Sequence, residues 1–406
     1  MCLFLSALTT PVAVDAARFS EERTDHYHVQ TDVSRRFTHL VAQHMEEIYQ
    51  EYERRFQGYD LKKHGRFDVK VFERQSDYED AIPAQLRGSV GSFISSQRLL
   101  AAYMGDNTEE RVFKTLYHEG FHQFLYSAVE AEVPLWVNEG FAEYFSEAVW
   151  NGRRFTTGRV STGRVKVIRE AIESRDHIPL EKLFRMESDG WLANVRGGDA
   201  RLQYAEAWSV VHFLCHARDG RYRRRLLGYI KMLADGTGRT EAFRRSFGTN
   251  VERFERAWAK YVAELEPGPE ELCRHNLELL LFMGREMFEG ARDFESLSQL
   301  RRALLSDHHR WEVRSGTGEK ISSSDERRVR RLFKCPLDRS RRAISYILLR
   351  NPGTKLPEIY CVHHQGNVIR AYFERSERGE YQPRTQRVVS ATLPPAVARA
   401  LKRRMR

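Results

Sequence analysis

The sequence lacks several features that would define a class of protein. Its longest apolar stretch falls well short of the ~18–20 residues that span a membrane, so we predict no transmembrane segment. It has no C-x-x-C pair, which excludes a zinc ribbon built on cysteines. No internal repeat and no recognised nucleic-acid-binding motif is present, and an aromatic content of 11% excludes wholesale disorder. The cysteines are Cys2, Cys215, Cys273, Cys335 and Cys361, of which the last two could pair.

The net charge of +10 belongs to one part of the chain. Residues 267–406 hold 28 Lys and Arg against 17 Asp and Glu, whereas the first 266 residues hold 38 basic and 39 acidic groups. The change coincides with the break at Pro267-Gly268-Pro269, so we predict a domain boundary there. The basic segment is either a surface for an anionic partner or a solvated or internally paired face. We do not expect nucleic acid, because aromatic residues are not interleaved with the basic clusters.

The N-terminus has an apolar run followed by small residues, but it lacks the basic start of a typical leader. Residues 1–22 are therefore either a leader or an apolar tail packed on the domain. The leader interpretation favours export to the periplasm or the medium, and the other interpretation leaves a cytoplasmic protein.

The pattern of the remaining chain predicts an α+β fold. Ser34 is expected to cap a long helix, and residues 23–106 alternate strand and helix as a small α/β layer. The Gly-containing stretch from Val90 to Tyr103 is either an edge strand that pairs with an extended peptide or a plain sheet strand. Residues 107–266 are mostly helical, beginning with a helix capped by Asn107. Residues 267–406 are expected to form a basic α/β appendage with strands at 344–349 and 358–372, the second with a turn at Gly366-Asn367 between its halves.

The first of these helices contains His118-Glu119-Gly120-Phe121-His122, an H-E-x-x-H motif. Residues i and i+4 share a helix face, so both imidazoles can bind one metal ion. Glu119 lies about 100° round the helix, where its carboxylate can reach a water activated by that metal. The alternative interpretation is a solvated helix that happens to carry two histidines.

A second element, Asn138-Glu139-Gly140-Phe141-Ala142-Glu143-Tyr144-Phe145, follows after about ten residues of connection. Two helices joined in this way can pack antiparallel and bring Glu139 back to the histidine face. Two His and one carboxylate leave the fourth position of a tetrahedral zinc open. Glu143, one turn further on, can accept the outer N–H of a ligand histidine. Without the preceding motif, Glu139 and Glu143 would be interpreted as an ordinary acidic stripe on a helix.

HEGFH followed by NEGFAEYF resembles the gluzincin branch of the peptidase MA-like metallopeptidases, which includes thermolysin and the zinc aminopeptidases. The resemblance is strong over 107–150, loose over the rest of 25–266, and absent beyond. It implies a zincin-like fold, Zn²⁺ held by His118, His122 and Glu139, and Glu119 as general base. Glu143 matches the acidic position that supports a ligand histidine. A peptide or protein substrate is implied.

The chain departs from the aminopeptidases of this group in two ways. It has no G-x-M-E-N element upstream of the motif, and the spacing between His122 and Glu139 differs slightly. Tyr204 follows Glu139 at about the interval at which these relatives carry a tyrosine that polarises the substrate carbonyl. The alternative interpretation of Tyr204 is a core aromatic residue on its helix. His212 and Tyr117 are expected to be structural.

We therefore expect a zinc metallopeptidase. The alternatives are a non-catalytic metal-containing protein whose basic domain holds an anionic partner, and a zinc hydrolase of a non-peptide amide such as a cell-wall polymer.

Overall fold

The structure is a computed structural model of the 406-residue chain. It describes residues 18–57, 65–129, 132–150, 154–198, 200–289, 294–306, 310–314, 320–334, 346–362, 368–375, 381–388 and 393–404. These residues form two compact units, one within Met1–Gly158 and Pro179–Phe254 and the other within Arg159–Ile178 and Glu255–Arg406. Residues 1–17, most of the segment interpreted as either a leader or an apolar tail, lie outside the described residues. None of the described helices combines the length and apolar character needed to cross a membrane.

The first unit begins with a five-stranded sheet in the order β1-β2-β3-β5-β4. The central strands β2, β3 and β5 are parallel, and β1 and β4 pair antiparallel at the two edges. This arrangement confirms the predicted α/β layer with an edge strand in the Val90–Tyr103 stretch. The elements are β1 (Ser20–Arg23), β2 (Tyr27–Thr31), α1 (Arg35–Arg55), β3 (Phe67–Phe72), α2 (Gln75–Ala81), β4 (Gly91–Ile94) and β5 (Leu99–Tyr103).

A mostly helical part follows in the same unit. Its elements are α3 (Glu109–Ala128), α4 (Leu135–Ser146), β6 (Val149–Trp150), β7 (Phe155–Thr156), α6 (Leu180–Arg185), α7 (Ser188–Gly197), α8 (Ala200–Gly220), α9 (Arg223–Ala234) and α10 (Arg239–Phe247). The intervening helix α5 (Thr162–Ser174) belongs to the second unit. The described part of the protein is therefore α+β, as predicted.

Two helix starts were predicted, with different outcomes. The Ser34 side chain accepts the Phe37 N–H, which confirms the predicted cap of α1. The predicted cap of α3 at Asn107 is wrong, because the neighbouring Thr108 accepts the Arg111 N–H. Both residue types can cap a helix, and the choice depends on where the chain leaves β5. Helix α4 begins three residues before the predicted Asn138, directly after Pro134.

The second unit contains α5 and a four-stranded antiparallel sheet in the order β10-β11-β12-β13. Leucines and methionines of α12 form a core with the apolar face of that sheet. Pro267, the predicted boundary, lies inside this unit. Helix α11 (Val251–Glu264) enters this unit at Glu255. The elements that follow it are α12 (Pro269–Glu289), α13 (Leu297–Leu304), β8 (Glu312–Arg314), β9 (Lys320–Ser322), α14 (Glu326–Leu332), β10 (Tyr346–Arg350), β11 (Pro357–Val362), β12 (Val368–Arg375), β13 (Tyr381–Val388) and α15 (Pro395–Arg404).

Several details of the basic segment differ from prediction or cannot be compared. The strand predicted over 358–372, with a turn between its halves, corresponds to the two strands β11 and β12; the turn residues Gly366-Asn367 lie outside the described residues. Cys335, the proposed partner of Cys361, also lies outside them. Strand β13 was not predicted.

Close packing of α4 on α8 depends on Gly140. A methyl group at this position would lie 2.5 Å from the backbone oxygen of Ala207 and 2.6 Å from a methyl carbon of Val211. Both distances are shorter than a van der Waals contact, and a backbone oxygen cannot rotate away as a side chain can. The helix that carries Glu139 can therefore approach α8 this closely only with glycine here.

We expect Gly140→Ala to destabilise the protein by about 1–3 kcal/mol, because α4 and α8 must move apart or distort. Urea unfolding measures the effect. Gly228→Ala is the matched control: it is also inside a helix, but no described atom lies within 4 Å of the added carbon. That change should stabilise the protein by up to about 1 kcal/mol through helix propensity. Equal free energies of unfolding for Gly140→Ala and the wild type would contradict the packing argument.

Candidate metal site and cleft

Two packed helices, α3 and α4, bring the predicted metal ligands together. His118 and His122 lie one turn apart on α3, and Glu139 comes from the first half of α4. The two imidazole Nε2 atoms are 3.1 Å apart, and Glu139 Oε2 lies 3.5 Å from that of His118 and 3.6 Å from that of His122. The side chains are 14–17% exposed, so solvent reaches the site.

These distances fit a metal ion. Ligands about 2.0–2.1 Å from a tetrahedral zinc are separated from one another by about 3.3 Å, close to the three distances observed. His118, His122 and Glu139 are also the group of His, Cys, Asp and Glu side chains that converges in this way among the described residues. The three side chains therefore form a triad that could hold a metal ion.

The outer nitrogens of both histidines face oxygen acceptors. His122 Nδ1 donates to Asn138 Oδ1 at 2.8 Å, and His118 Nδ1 lies 3.4 Å from Glu143 Oε1. A proton held on Nδ1 leaves the lone pair of Nε2 directed at the triad, which is the tautomer a metal ligand requires. The position of Glu143 agrees with its predicted role. Asn138 was missed, although it is the polar residue that directly precedes Glu139 in an apolar stretch.

The charges around the triad favour a cation. Burial lowers the pKa of His118, but the carboxylates of Glu139, Glu143 and Glu119 outweigh it and raise that pKa to about 9. Burial likewise raises the pKa of Glu139, and the two histidines more than compensate, so it falls below its usual value. Without a metal, these carboxylates stabilise a proton on His118. A divalent cation would stabilise the negative charges of the same carboxylates.

Glu119 lies between the triad and the edge of the sheet. Its Oε2 accepts the backbone N–H of Phe93 at 2.9 Å, and its charge contributes to the raised pKa of His118. Phe93 is in β4, whose other side pairs with β5. The hydrogen bond therefore shows that the unpaired edge of β4 faces Glu119. This backbone contact was not predicted, because it joins residues 26 positions apart.

Tyr204, on α8, also lies beside the site. Its ring centroid is 6.4 Å from that of His118. The Trp191 ring packs against it in a T-shaped arrangement, with the two ring centroids 5.5 Å apart. Burial and the nearby carboxylates of Glu139, Glu143 and Glu119 raise the pKa of Tyr204 far above its usual value. The hydroxyl therefore keeps its proton at neutral pH and can donate a hydrogen bond.

His212 and Tyr117 have structural contacts. His212 Nε2 donates to the backbone oxygen of Gly158 at 3.2 Å, and burial lowers the pKa of His212 to about 4. Tyr117 is buried on the far side of α3, where its hydroxyl hydrogen-bonds to His44.

A cleft of about 410 Å³ opens beside the triad in the same unit. His122 and Glu139 line it together with Phe93 and Ser95 from the edge strand and its following turn. At another part of its wall, Arg239 binds Glu132 and Glu187, each at 2.7 Å. This ion-pair cluster joins the α3–α4 connection, the start of α7 and the start of α10, and it was not predicted from the sequence.

Comparison with known proteins gives one partial match. Residues 112–234 match a family described as a protein of unknown function (DUF1570). This range contains His118, Glu119, His122, Glu139, Glu143 and Tyr204, but it covers less than half of the chain. A comparison with curated proteins finds no match.

Proposed function

We propose that the protein is a zinc-dependent metallopeptidase of the gluzincin type. The observation that carries the proposal is the convergence of His118, His122 and Glu139 to tetrahedral ligand distances, beside Glu119 and an open cleft. A structural metal site would not need a carboxylate next to the ligands or access to solvent. Both features support catalysis over a purely structural metal.

The chain's own residues can supply the proton transfers of hydrolysis. Zinc, when bound, would make a water molecule more acidic and polarise the substrate carbonyl. Glu119 accepts the proton of the attacking water and then passes it to the leaving amine. His118 and His122 are held in the required tautomer by Glu143 and Asn138.

The unpaired edge of β4 favours a peptide substrate. An extended peptide can add to a free strand edge through backbone hydrogen bonds, independently of its side chains. The Phe93–Glu119 hydrogen bond places that edge next to the proposed base. A peptide paired with β4 would thus carry its backbone carbonyls past the metal site. We infer that an extended peptide fits better than a compact ligand.

The proposal is tested by incubating the full chain with a peptide library, with and without zinc and with a chelator. Zinc-dependent cleavage that the chelator abolishes supports it. Wall fragments with non-peptide amides, assayed in parallel, test the alternative substrate class. Zinc binding without hydrolysis of either set would favour the non-catalytic alternative.

We expect Tyr204→Phe to lower kcat by about 10²–10³-fold while zinc content stays unchanged. The tetrahedral oxyanion needs a donor besides the metal, and losing one such donor has an effect of this size. KM should change little, because the charge that the hydroxyl meets develops only in the transition state. Steady-state kinetics on the best library peptide measure both values.

Tyr222→Phe serves as the control for this variant. Tyr222 packs on Phe213 at the start of α9 and, unlike Tyr204, makes no ring contact with His118 among the described residues. It loses the same hydroxyl and should retain full activity. An equal loss of kcat in both variants, or none in Tyr204→Phe, would remove Tyr204 from the mechanism.

A further inference from the structure

Two cysteine side chains meet in the core of the second unit. Cys273 is in the first half of α12, and Cys361 is in β11, 88 positions further along the chain. Both are completely buried in the apolar core that α12 forms with the sheet. Their Sγ atoms are 3.2 Å apart. The fold therefore brings together two thiols that are far apart in the sequence.

The distance between the two sulfur atoms is shorter than a packing contact. Non-bonded carbon atoms lie about 3.5–4.0 Å apart at contact, and sulfur is the larger atom. The sulfur atoms of a disulfide are about 2.05 Å apart, so closing the bond requires a further approach of about 1 Å. Rotation of the side chains or a small displacement of α12 can supply it. Cysteines that serve only as small apolar core residues do not need to approach so closely.

Regular secondary structure holds both positions. Cys361 lies opposite Tyr346 of β10 on one side and opposite Ile369 of β12 on the other, so it is on an inner strand of the sheet. Helix α12 packs on this strand. The close approach of the two sulfur atoms thus results from the packing of a helix on a sheet and does not depend on a loop.

We propose that Cys273 and Cys361 form an intrachain disulfide by exchange with a small disulfide oxidant such as oxidised glutathione. The thiolate of one cysteine attacks the oxidant, whose S–S bond breaks and releases one thiol. The thiolate of the other cysteine then attacks the mixed disulfide, so that the bond between the two cysteines forms and the second thiol leaves. The two protons and two electrons lost by the cysteines are carried away by the two released thiols.

Burial determines when this exchange takes place. An oxidant cannot reach either sulfur atom while α12 is packed on the sheet, so the bond forms during folding. Once it has formed, the same burial protects it from reductants. A cross-link between distant positions restricts the unfolded chain strongly. We therefore expect the oxidised chain to unfold at a temperature about 5–15 °C higher than the reduced chain.

The test refolds the full chain from denaturant, once with a mixture of oxidised and reduced glutathione and once with dithiothreitol. Remaining thiols are alkylated, and tryptic peptides are mapped by mass spectrometry. We expect the peptides 261–274 and 356–370, which contain the two cysteines, to be cross-linked only in the glutathione sample. Thermal unfolding of both samples measures the difference in midpoint. The double variant Cys273→Ala/Cys361→Ala should show no such difference.

Two single variants serve as matched controls. Cys335→Ser removes the other partner that the sequence allows for Cys361, and Cys215→Ala removes a buried cysteine of the first unit. Both variants should keep the cross-link and the higher midpoint. Three results would overturn the proposal: no cross-link between Cys273 and Cys361, a cross-link from Cys361 to Cys335 in its place, or a midpoint that the cross-link leaves unchanged.

Discussion

Replacing Glu119 by glutamine is expected to abolish hydrolysis while the protein still binds about one zinc ion. Positioned general bases contribute about 10²–10⁴-fold to the rate, so kcat should fall to the background of the assay. Zinc should remain, because Glu119 is not among the three converging ligands and its Oε2 is engaged by the Phe93 N–H. A glutamine oxygen can accept the same hydrogen bond. Its amide, however, cannot take a proton from water at neutral pH.

The test combines kinetics with metal analysis of one preparation. Glu109→Gln, at the start of α3, removes a carboxylate that pairs with Arg36 at the surface and should leave kcat unchanged. Activity near the wild-type level in Glu119→Gln, with zinc bound, would contradict the proposed mechanism. Loss of zinc in this variant would instead show that Glu119 helps to hold the metal.

Replacing Glu139 by glutamine should remove both zinc and activity. Glu139 supplies the one negative charge of the proposed ligand set and lies 3.5–3.6 Å from both imidazole Nε2 atoms. A neutral amide of the same size keeps the packing of α4 but binds zinc far more weakly than a carboxylate. Metal analysis after gel filtration and zinc titration with a competing chelator measure the loss.

Two further carboxylates, Glu143 in α4 and Glu147 directly after it, extend this prediction to a series of decreasing effects on zinc affinity. Glu143→Gln should lower zinc affinity by about 10–100-fold, because Glu143 acts on the metal through His118. Glu147→Gln, another turn along, should leave affinity unchanged, since Glu147 pairs with Lys114. Equal zinc affinities for Glu139→Gln and Glu147→Gln would refute the assigned triad.

The sequence predicted best what depends on neighbours along the chain. The spacing of His118 and His122 places both on one face of any α-helix, and α3 has this form. The Ser34 cap and the alternating strands of the first sheet are equally local. Strand β13 was missed because Tyr-Gln-Pro-Arg-Thr-Gln-Arg-Val lacks an apolar alternation. It is a strand because it pairs with β12 at the edge of the sheet.

The position of α5 shows a second limit of prediction from the sequence. Its residues lie within the predicted catalytic range 107–266, and nothing in their composition separates them from their neighbours. The structure assigns α5 to the second unit, where it packs on α12. The charge excess of residues 267–406 was evident from counting, but the contact of α5 with α12 requires the fold.

What the sequence alone determined is the set of reactive groups: two imidazoles and a carboxylate on one helix, and a second acidic helix close behind. Tertiary packing decided how these groups are used. The return of α4 along α3 brings Glu139 to ligand distance, and close contact at Gly140 allows α8 to bring Tyr204 beside His118. The same packing brings three further groups to the cleft: Asn138, the Phe93 N–H and the Arg239 cluster. The reason is that periodicity specifies which face a residue occupies, whereas the partner of that face depends on contacts between residues far apart in the chain.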